Sequence, residues 1–158
     1  MSRGPIILSW CLAITEAPDL VNAETNRLFV HAVQVHSLVG HVKRIVSGDF
    51  SPNGFQVATG GDDHSVRIWD LRSKACSYVL PAHSNLISEC KFDATGEALL
   101  TASFDGTARV WGCRDWRLLS TMAGHEGKVM AADWNYATGG VITAGFDRTI
   151  KQWDVSQY

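Results

Sequence analysis

The sequence predicts an all-β fold in which a four-stranded unit occurs about three times. Three observations predict it: a 42-residue period, short β-prone runs separated by turns, and no helical periodicity. Four residue types keep this period across three copies without insertion or deletion. They are Trp69, Trp111 and Trp153; His41, His83 and His125; Asp63, Asp105 and Asp147; and Thr59, Thr101 and Thr143.

Each unit begins with two β-prone runs joined by a turn. In the first unit these runs are residues 44–50 and 55–60, and Ser-Pro-Asn-Gly at residues 51–54 marks a hairpin turn between them. A second turn, Asp-Asp-His at residues 62–64, leads to a third run at 65–70. The last run covers residues 75–80, which makes four predicted strands in each period.

Composition limits the classes of function. The 158 residues are 46% hydrophobic and 19% charged, as in a globular protein, and the net charge of −2 argues against a domain-wide basic field for nucleic acid. Cys11, Cys76, Cys90 and Cys113 form no CxxC pair, so we expect free thiols and no metal site. The apolar run at residues 6–14 is too short to span a bilayer.

The repeated dipeptides resemble those of the WD40 repeat of β-propellers. They are Gly40-His41 with Trp69-Asp70, Ala82-His83 with Trp111-Gly112, and Gly124-His125 with Trp153-Asp154. The resemblance implies that the His, Thr, Asp and Trp of each repeat form a hydrogen-bonded chain, which satisfies polar groups between packed blades. Because this set occurs three times at equivalent places, we expect a structural network, with no catalytic residues and no cofactor.

The period divides the chain into three repeats, at residues 39–80, 81–122 and 123–158, and the third lacks its outer strand. Residues 1–38 form an unassigned segment, in which residues 30–38 are the expected outer strand of a preceding blade. Propellers close with roughly four to eight blades. The sequence therefore predicts part of a propeller with an unclosed ring, and we expect the isolated chain to be unstable or to self-associate.

Six residues are candidates for binding a partner. Turns between second and third strands, and loops before first strands, share one face of a propeller. Aromatic side chains on that face either anchor a partner or pack against the next blade. Basic side chains there either bind acidic protein or RNA phosphate, or remain solvated. The candidates are Asp62, Phe104 and Phe146 in the turns, and Lys43, Arg44 and Lys128 in the loops.

Residues outside the signature resemble a narrower family. Residues 81–87, 123–130 and 146–153 are similar to the last repeats of the pre-mRNA-processing factor 4 family, the WD-repeat component of the U4/U6 small nuclear ribonucleoprotein (snRNP). This resemblance implies a nuclear, non-catalytic scaffold of the U4/U6.U5 tri-snRNP. Its partners would be the pre-mRNA-processing factor 3 protein and other tri-snRNP components, with U4/U6 RNA close by.

Two other hypotheses stay open. A propeller is equally compatible with a generic WD-repeat adaptor, such as a substrate receptor of a ubiquitin ligase. Direct RNA binding is the second: Arg67, Arg109 and Lys151 are basic at one repeat position, where they either track a phosphate backbone or pack between blades.

Overall fold

The computed structural model describes residues 34–137 and 139–155, and this part of the chain is built from antiparallel strands. It contains no helix, and hence none long and apolar enough to cross a membrane. The strands are β1 (Ile45–Phe50), β2 (Gln56–Gly61), β3 (Val66–Asp70), β4 (Ala75–Leu80), β5 (Ile87–Phe92), β6 (Ala98–Ser103), β7 (Thr107–Gly112), β8 (Leu118–Ala123), β9 (Val129–Asn135), β10 (Gly140–Gly145) and β11 (Ile150–Asp154).

Three sheets divide these strands in chain order. The first blade is β1–β4, the second is β5–β8 and the third is β9–β11, and in each sheet neighbours in sequence are neighbours in space. This meander follows from the tight turns. After β1, for example, the Asn53 side chain accepts the amide hydrogens of Phe55 and Gln56, and Gly54 takes a φ of 79°. The predicted all-β fold with an unclosed ring is confirmed.

The blades pack face to face through two apolar cores. Between the first and second blades, Ala58 and Ile68 meet Leu99 and Trp111. Between the second and third, a second cluster contains Leu100, Val110, Met122, Val129, Trp134 and Val141. All six residues of β6 are buried, because both of its faces are covered.

First strands of successive blades also share hydrogen bonds. Asp49 Oδ2 in β1 accepts the amide hydrogen of Phe92 in β5 over 2.8 Å. Ser88 Oγ in β5 donates to the carbonyl of Val129 in β9 over 2.7 Å. These bonds link neighbouring blades through their first strands.

One expected element differs from the structure. Residues 34–38, predicted to belong to an outer strand at 30–38, have no strand conformation, and residues 1–33 lie outside the described part. A strand needs a hydrogen-bonded neighbour, and among the described residues no third strand of a preceding blade pairs with this segment.

Candidate functional site

Each blade contains a chain of hydrogen bonds from an indole to a carboxylate. In the second blade, Trp111 Nε1 donates to Thr101 Oγ1 over 3.0 Å, and this oxygen lies 2.8 Å from His83 Nε2. His83 Nδ1 lies 2.9 Å from Asp105 Oδ2. Because a carboxylate only accepts, His83 donates from Nδ1, and its neutral Nε2 accepts the threonine proton. Every proton in the chain therefore points towards Asp105.

The first and third blades have the same geometry. In both, the His–Asp distance is 2.8 Å, the His–Thr distance is 2.7 Å and the Trp–Thr distance is 2.8 Å. The residues are His41, Asp63, Thr59 and Trp69 in the first blade, and His125, Asp147, Thr143 and Trp153 in the third.

A further hydroxyl group, which the sequence analysis missed, holds each turn aspartate. Thr107 Oγ1 donates to Asp105 Oδ1 over 2.7 Å, and the Thr107 amide donates to the same oxygen over 3.0 Å. Ser65 and Thr149 bind their own aspartates in the same way, at 3.0 and 2.8 Å. The signal was present in the sequence, because these three hydroxyl residues keep the 42-residue spacing.

Burial and hydrogen bonding oppose each other in the pKa values of the turn aspartates. Burial raises the pKa of Asp105, but the bond from Thr107 and the interaction with His83 outweigh it and lower the pKa to about 2. Contacts of the same kind overcome burial and lower the pKa of Asp63 and of Asp147. Burial lowers the pKa of His83, since the charged ring would lose its hydration. At neutral pH Asp105 is ionised and His83 is neutral.

The three histidines are enclosed by their blades. The side chains of His41, His83 and His125 are 2%, 0% and 1% exposed. A general base must reach the proton that it abstracts from a substrate. This burial and the threefold occurrence favour a structural role for the network over a catalytic one.

The turns after β2, β6 and β10 lie beside the loops before β1, β5 and β9. We call this edge the rim: residues 42–44, 62–64, 84–86, 104–106, 126–128 and 146–148. In each blade a backbone amide of the turn donates to a carbonyl of the loop. The bonded pairs are Asp62 with Arg44, Phe104 with Leu86, and Phe146 with Lys128.

The two rim phenylalanines have different surroundings. Lys128 Nζ of the third blade lies 4.7 Å from the centroid of the Phe104 ring in the second blade, a cation–π contact between blades. Phe146 occupies the equivalent place in the third blade and is 73% exposed. The structure therefore leaves Phe146 as the open aromatic of the pair.

The basic and acidic rim candidates of the first blade also differ. Arg44 Nη2 lies 3.3 Å from Asp62 Oδ2, and the arginine side chain remains well exposed. Lys43 is exposed beside it. Asp62 is thus engaged within its own blade, whereas the two cations face solvent.

The arginines of the third strands pack against their blades. Arg109 Nη1 donates to the carbonyl of Ala82 over 2.7 Å, and Arg67 Nη1 lies 3.9 Å from Cys76 Sγ. The Nε atoms of both arginines are buried. This packing favours a structural role for Arg67 and Arg109 over tracking of an RNA backbone.

Three segments of the chain match the family described as WD domain, G-beta repeat. They are residues 32–70, 74–112 and 116–154, which is well over half of the chain. The chain belongs to this family. Each matched segment starts before a blade's first strand and ends with its third, so it includes the outer-strand position of the blade before it. WD repeats of this kind are typical of protein-interaction scaffolds.

The curated relatives that this WD-repeat chain matches are much longer proteins. Striatin of Homo sapiens is 36% identical over 55 residues, which is 35% of this chain and 7% of striatin. The Periodic tryptophan protein 2 homolog of Caenorhabditis elegans is 34% identical over 64 residues, which is 40% of this chain and 6% of that protein. These matches support the repeat family and do not extend to a particular member of it.

Proposed function

We propose that this chain is a non-catalytic scaffold whose rim binds a partner protein. The observation that carries the proposal is the exposed ring of Phe146, whose backbone amide donates to the carbonyl of Lys128 on the same rim. Exposed aromatics flanked by polar groups are common anchors of protein interfaces. Lys43 and Arg44 place further positive charge on the same edge of the molecule. An acidic or polar segment of a partner fits this surface best.

We propose further that the scaffold acts in the nucleus, within the U4/U6.U5 tri-snRNP. The partner would be the pre-mRNA-processing factor 3 protein, with U4/U6 RNA close by. The support is the resemblance of residues 81–87 and 123–130 to the factor 4 family. Both stretches contribute to the rim, and the second contains Lys128. The stretches that most resemble that family therefore overlap with the proposed binding surface at Lys128.

Affinity purification of the tagged chain from nuclear extract tests this function. We expect the factor 3 protein and U4/U6 RNA to co-purify. The double variant Phe146→Ala with Lys128→Ala should reduce their recovery roughly tenfold or more, because losing an interface anchor costs about 2 kcal/mol. The control is Tyr136→Ala, since Tyr136 is also exposed but lies in the turn at the opposite end of the third blade.

Three outcomes would contradict the proposal in different ways. Recovery of ubiquitin-ligase subunits without U4/U6 RNA would favour the adaptor hypothesis. Equal recovery by the double variant and the control would exclude the rim as the binding surface. Recovery of RNA without protein, falling steeply with salt, would mean that the chain binds RNA directly.

A further inference from the structure

The outer strands of the first and second blades carry apolar side chains on their facing sides. Tyr78 in β4 lies opposite Ile68, and Leu118 in β8 lies opposite Trp111. Ile68 and Trp111 are buried in the core between these two blades. Because opposed residues of antiparallel strands share one face of a sheet, Tyr78 and Leu118 extend that core outwards to the surface. They are 42% and 46% exposed, even though a blade lies on each side of this junction.

Trp116, in the turn between β7 and β8, completes this apolar surface. Its ring stacks on that of Tyr78 across the junction, with centroids 6.0 Å apart and planes inclined by 21°. Its backbone has a φ of 55°, in the left-handed region that bulky residues rarely adopt. The turn therefore accommodates a tryptophan where glycine or asparagine would be favoured. We call Tyr78, Trp116 and Leu118 the outer patch.

The blade architecture does not require the side chains of the outer patch. One period after Tyr78, the second blade has Ser120 in its outer strand. One period before the other two members, the first blade has Lys74 and Cys76. Lys74 takes a φ of 57°, so the same turn forms without a tryptophan. The exposed aromatic pair is thus specific to one junction, which points to a role outside folding.

Positive charge lies at the same end of this junction. The turns β3–β4 and β7–β8 contain exposed cations, which are Arg72, Lys74, Arg114 and Arg117. Two of these arginines pair with Asp70 and Asp115, at 2.7 and 3.5 Å. Lys74 and Arg114 form no ion pair within the described part of the chain. The apolar surface is therefore bordered by cations that are free to bind carboxylates.

We propose that the outer patch binds an acidic segment of a partner protein in which carboxylates flank aromatic or aliphatic side chains. The apolar side chains of the segment pack on Tyr78 and Leu118 and remove both from water. The carboxylates pair with Lys74 and Arg114 and set the orientation of the segment.

A nucleic acid fits the outer patch less well than a peptide. Bases stack on the open faces of aromatic rings, but one face of the Tyr78 ring lies against Trp116. Leu118 offers no ring to a base, and the Asp115 side chain, which is 54% exposed, would repel a phosphate backbone. The mixture of aliphatic, aromatic and cationic groups favours protein.

The outer patch is separate from the rim and adds to the proposed function. The turns β3–β4 and β7–β8 lie at the opposite end of the strands from the turns that form the rim. Occupation of one surface therefore leaves the other accessible. A chain with both surfaces occupied joins two partner segments at once.

Fluorescence polarisation with labelled synthetic peptides and the full chain tests the proposal. We expect saturable binding of Glu-Glu-Phe-Glu-Leu-Glu-Glu. The peptide Glu-Glu-Ser-Glu-Ser-Glu-Glu keeps the charge and loses the apolar groups, and Gln-Gln-Phe-Gln-Leu-Gln-Gln does the reverse. Each should bind roughly tenfold more weakly or worse, because each lacks one of the two contributions.

Two substitutions taken from the other repeats locate the binding surface without disturbing the blades. Tyr78→Ser introduces the residue found at position 120, and Trp116→Lys the residue found at position 74. Both should weaken binding of the first peptide roughly tenfold, and Trp116→Lys should do so although it adds a positive charge. Val79→Ser is the matched control. Val79 is also exposed on β4 but lies opposite Arg67, on the other face of the strand.

The outcomes separate the outer patch from the rim. The double variant Phe146→Ala with Lys128→Ala should bind the first peptide as tightly as the unmodified chain, because both residues belong to the rim. No saturable binding of that peptide overturns the proposal, and so does equal weakening by Tyr78→Ser and Val79→Ser. Undiminished affinity of Trp116→Lys would mean that charge alone attracts the peptide, which also contradicts the proposal. Tighter binding of a labelled oligouridine would make the outer patch an RNA surface instead.

Discussion

The second and third blades have nearly the same internal design and very different surroundings. The His–Thr distance is 2.8 Å in the second blade and 2.7 Å in the third, and the turn aspartates are held by equivalent threonines. Yet Leu100 is 0% exposed, and Ile142, one period later, is 37% exposed. The hydrogen-bonded network is thus a property of one repeat, whereas the apolar core is a property of two repeats in contact.

Truncating the apolar residue at this repeat position should give the largest difference in stability loss between the two blades. Leu100→Ala removes a fully buried side chain and should lower the free energy of unfolding by about 2–5 kcal/mol. Ile142→Ala should cost less than about 1.5 kcal/mol, because its side chain already meets solvent on one side. Urea unfolding, monitored by tryptophan fluorescence, measures both. Equal losses would mean that the contact with a neighbouring blade does not determine how much the side chain at this position contributes to stability.

Removing the threonine hydroxyl should affect the two blades alike. Thr101→Val and Thr143→Val each leave an indole N–H and a histidine nitrogen without their partner. Each should cost about 1–3 kcal/mol, since an unsatisfied buried polar group loses its hydration. The matched variants Thr101→Ser and Thr143→Ser keep the hydroxyl and should recover most of the loss. A large difference between the valine variants would mean that the network depends on the neighbouring blade.

The sequence was informative wherever one repeat determines the structure. The 42-residue period located the networks, and the strand predicted at residues 75–80 matches β4 (Ala75–Leu80). The first strand was predicted from residue 44 and begins at Ile45, because a terminal residue of a strand is decided by its pairing and not by its own propensity. The hydroxyl groups at residues 65, 107 and 149 keep the same period, but they lie outside the four-residue network that the WD resemblance implies.

The sequence was least informative wherever a neighbouring blade determines the surroundings of a residue. Phe104 and Phe146 stand at one repeat position, and only the structure shows that Lys128 covers the first and leaves the second open. Residues 34–38 were predicted as part of a strand, and the described part of the chain offers them no pairing partner. The 42-residue period locates the residues within one repeat. It contains no information about which neighbouring surface will pack against that repeat.

Acid should weaken the second blade in two steps. The pKa of His83 is lowered from 6.5 by burial, so below pH 6.5 the unfolded chain takes up a proton more readily than the folded chain, and stability falls with pH. The pKa of Asp105 is about 2 in the fold against 3.8 for the free side chain, so its stabilising effect is lost between about pH 4 and pH 2. Urea midpoints at pH 7.5, 5.5 and 3 should decrease in that order. Nitrogen NMR that finds a charged His83 in the folded protein at pH 6 would contradict the first step.

The smallest effect is expected at an ion pair between the second and third blades. Lys91 Nζ lies 2.8 Å from Asp133 Oδ2, and the two side chains are 35% and 62% exposed. Exposed ion pairs contribute roughly 0.2–1 kcal/mol, and salt screens them. Lys91→Met should therefore lower stability by less than about 1 kcal/mol in low salt, and by almost nothing in 1 M sodium chloride.

The equivalent residue of the first blade gives the control for that measurement. Asp49 lies one 42-residue period before Lys91. Its carboxylate accepts the amide hydrogens of Phe50 and Phe92. Asp49→Ala should cost about 1–3 kcal/mol, because two backbone donors lose a charged acceptor. This loss should persist in 1 M salt, since a hydrogen bond to a partly buried amide is screened much less than a surface ion pair. If the two variants respond to salt alike, then the bond from the Phe92 amide to Asp49 is screened like a surface ion pair and does not hold the first two blades together more firmly than such a pair would.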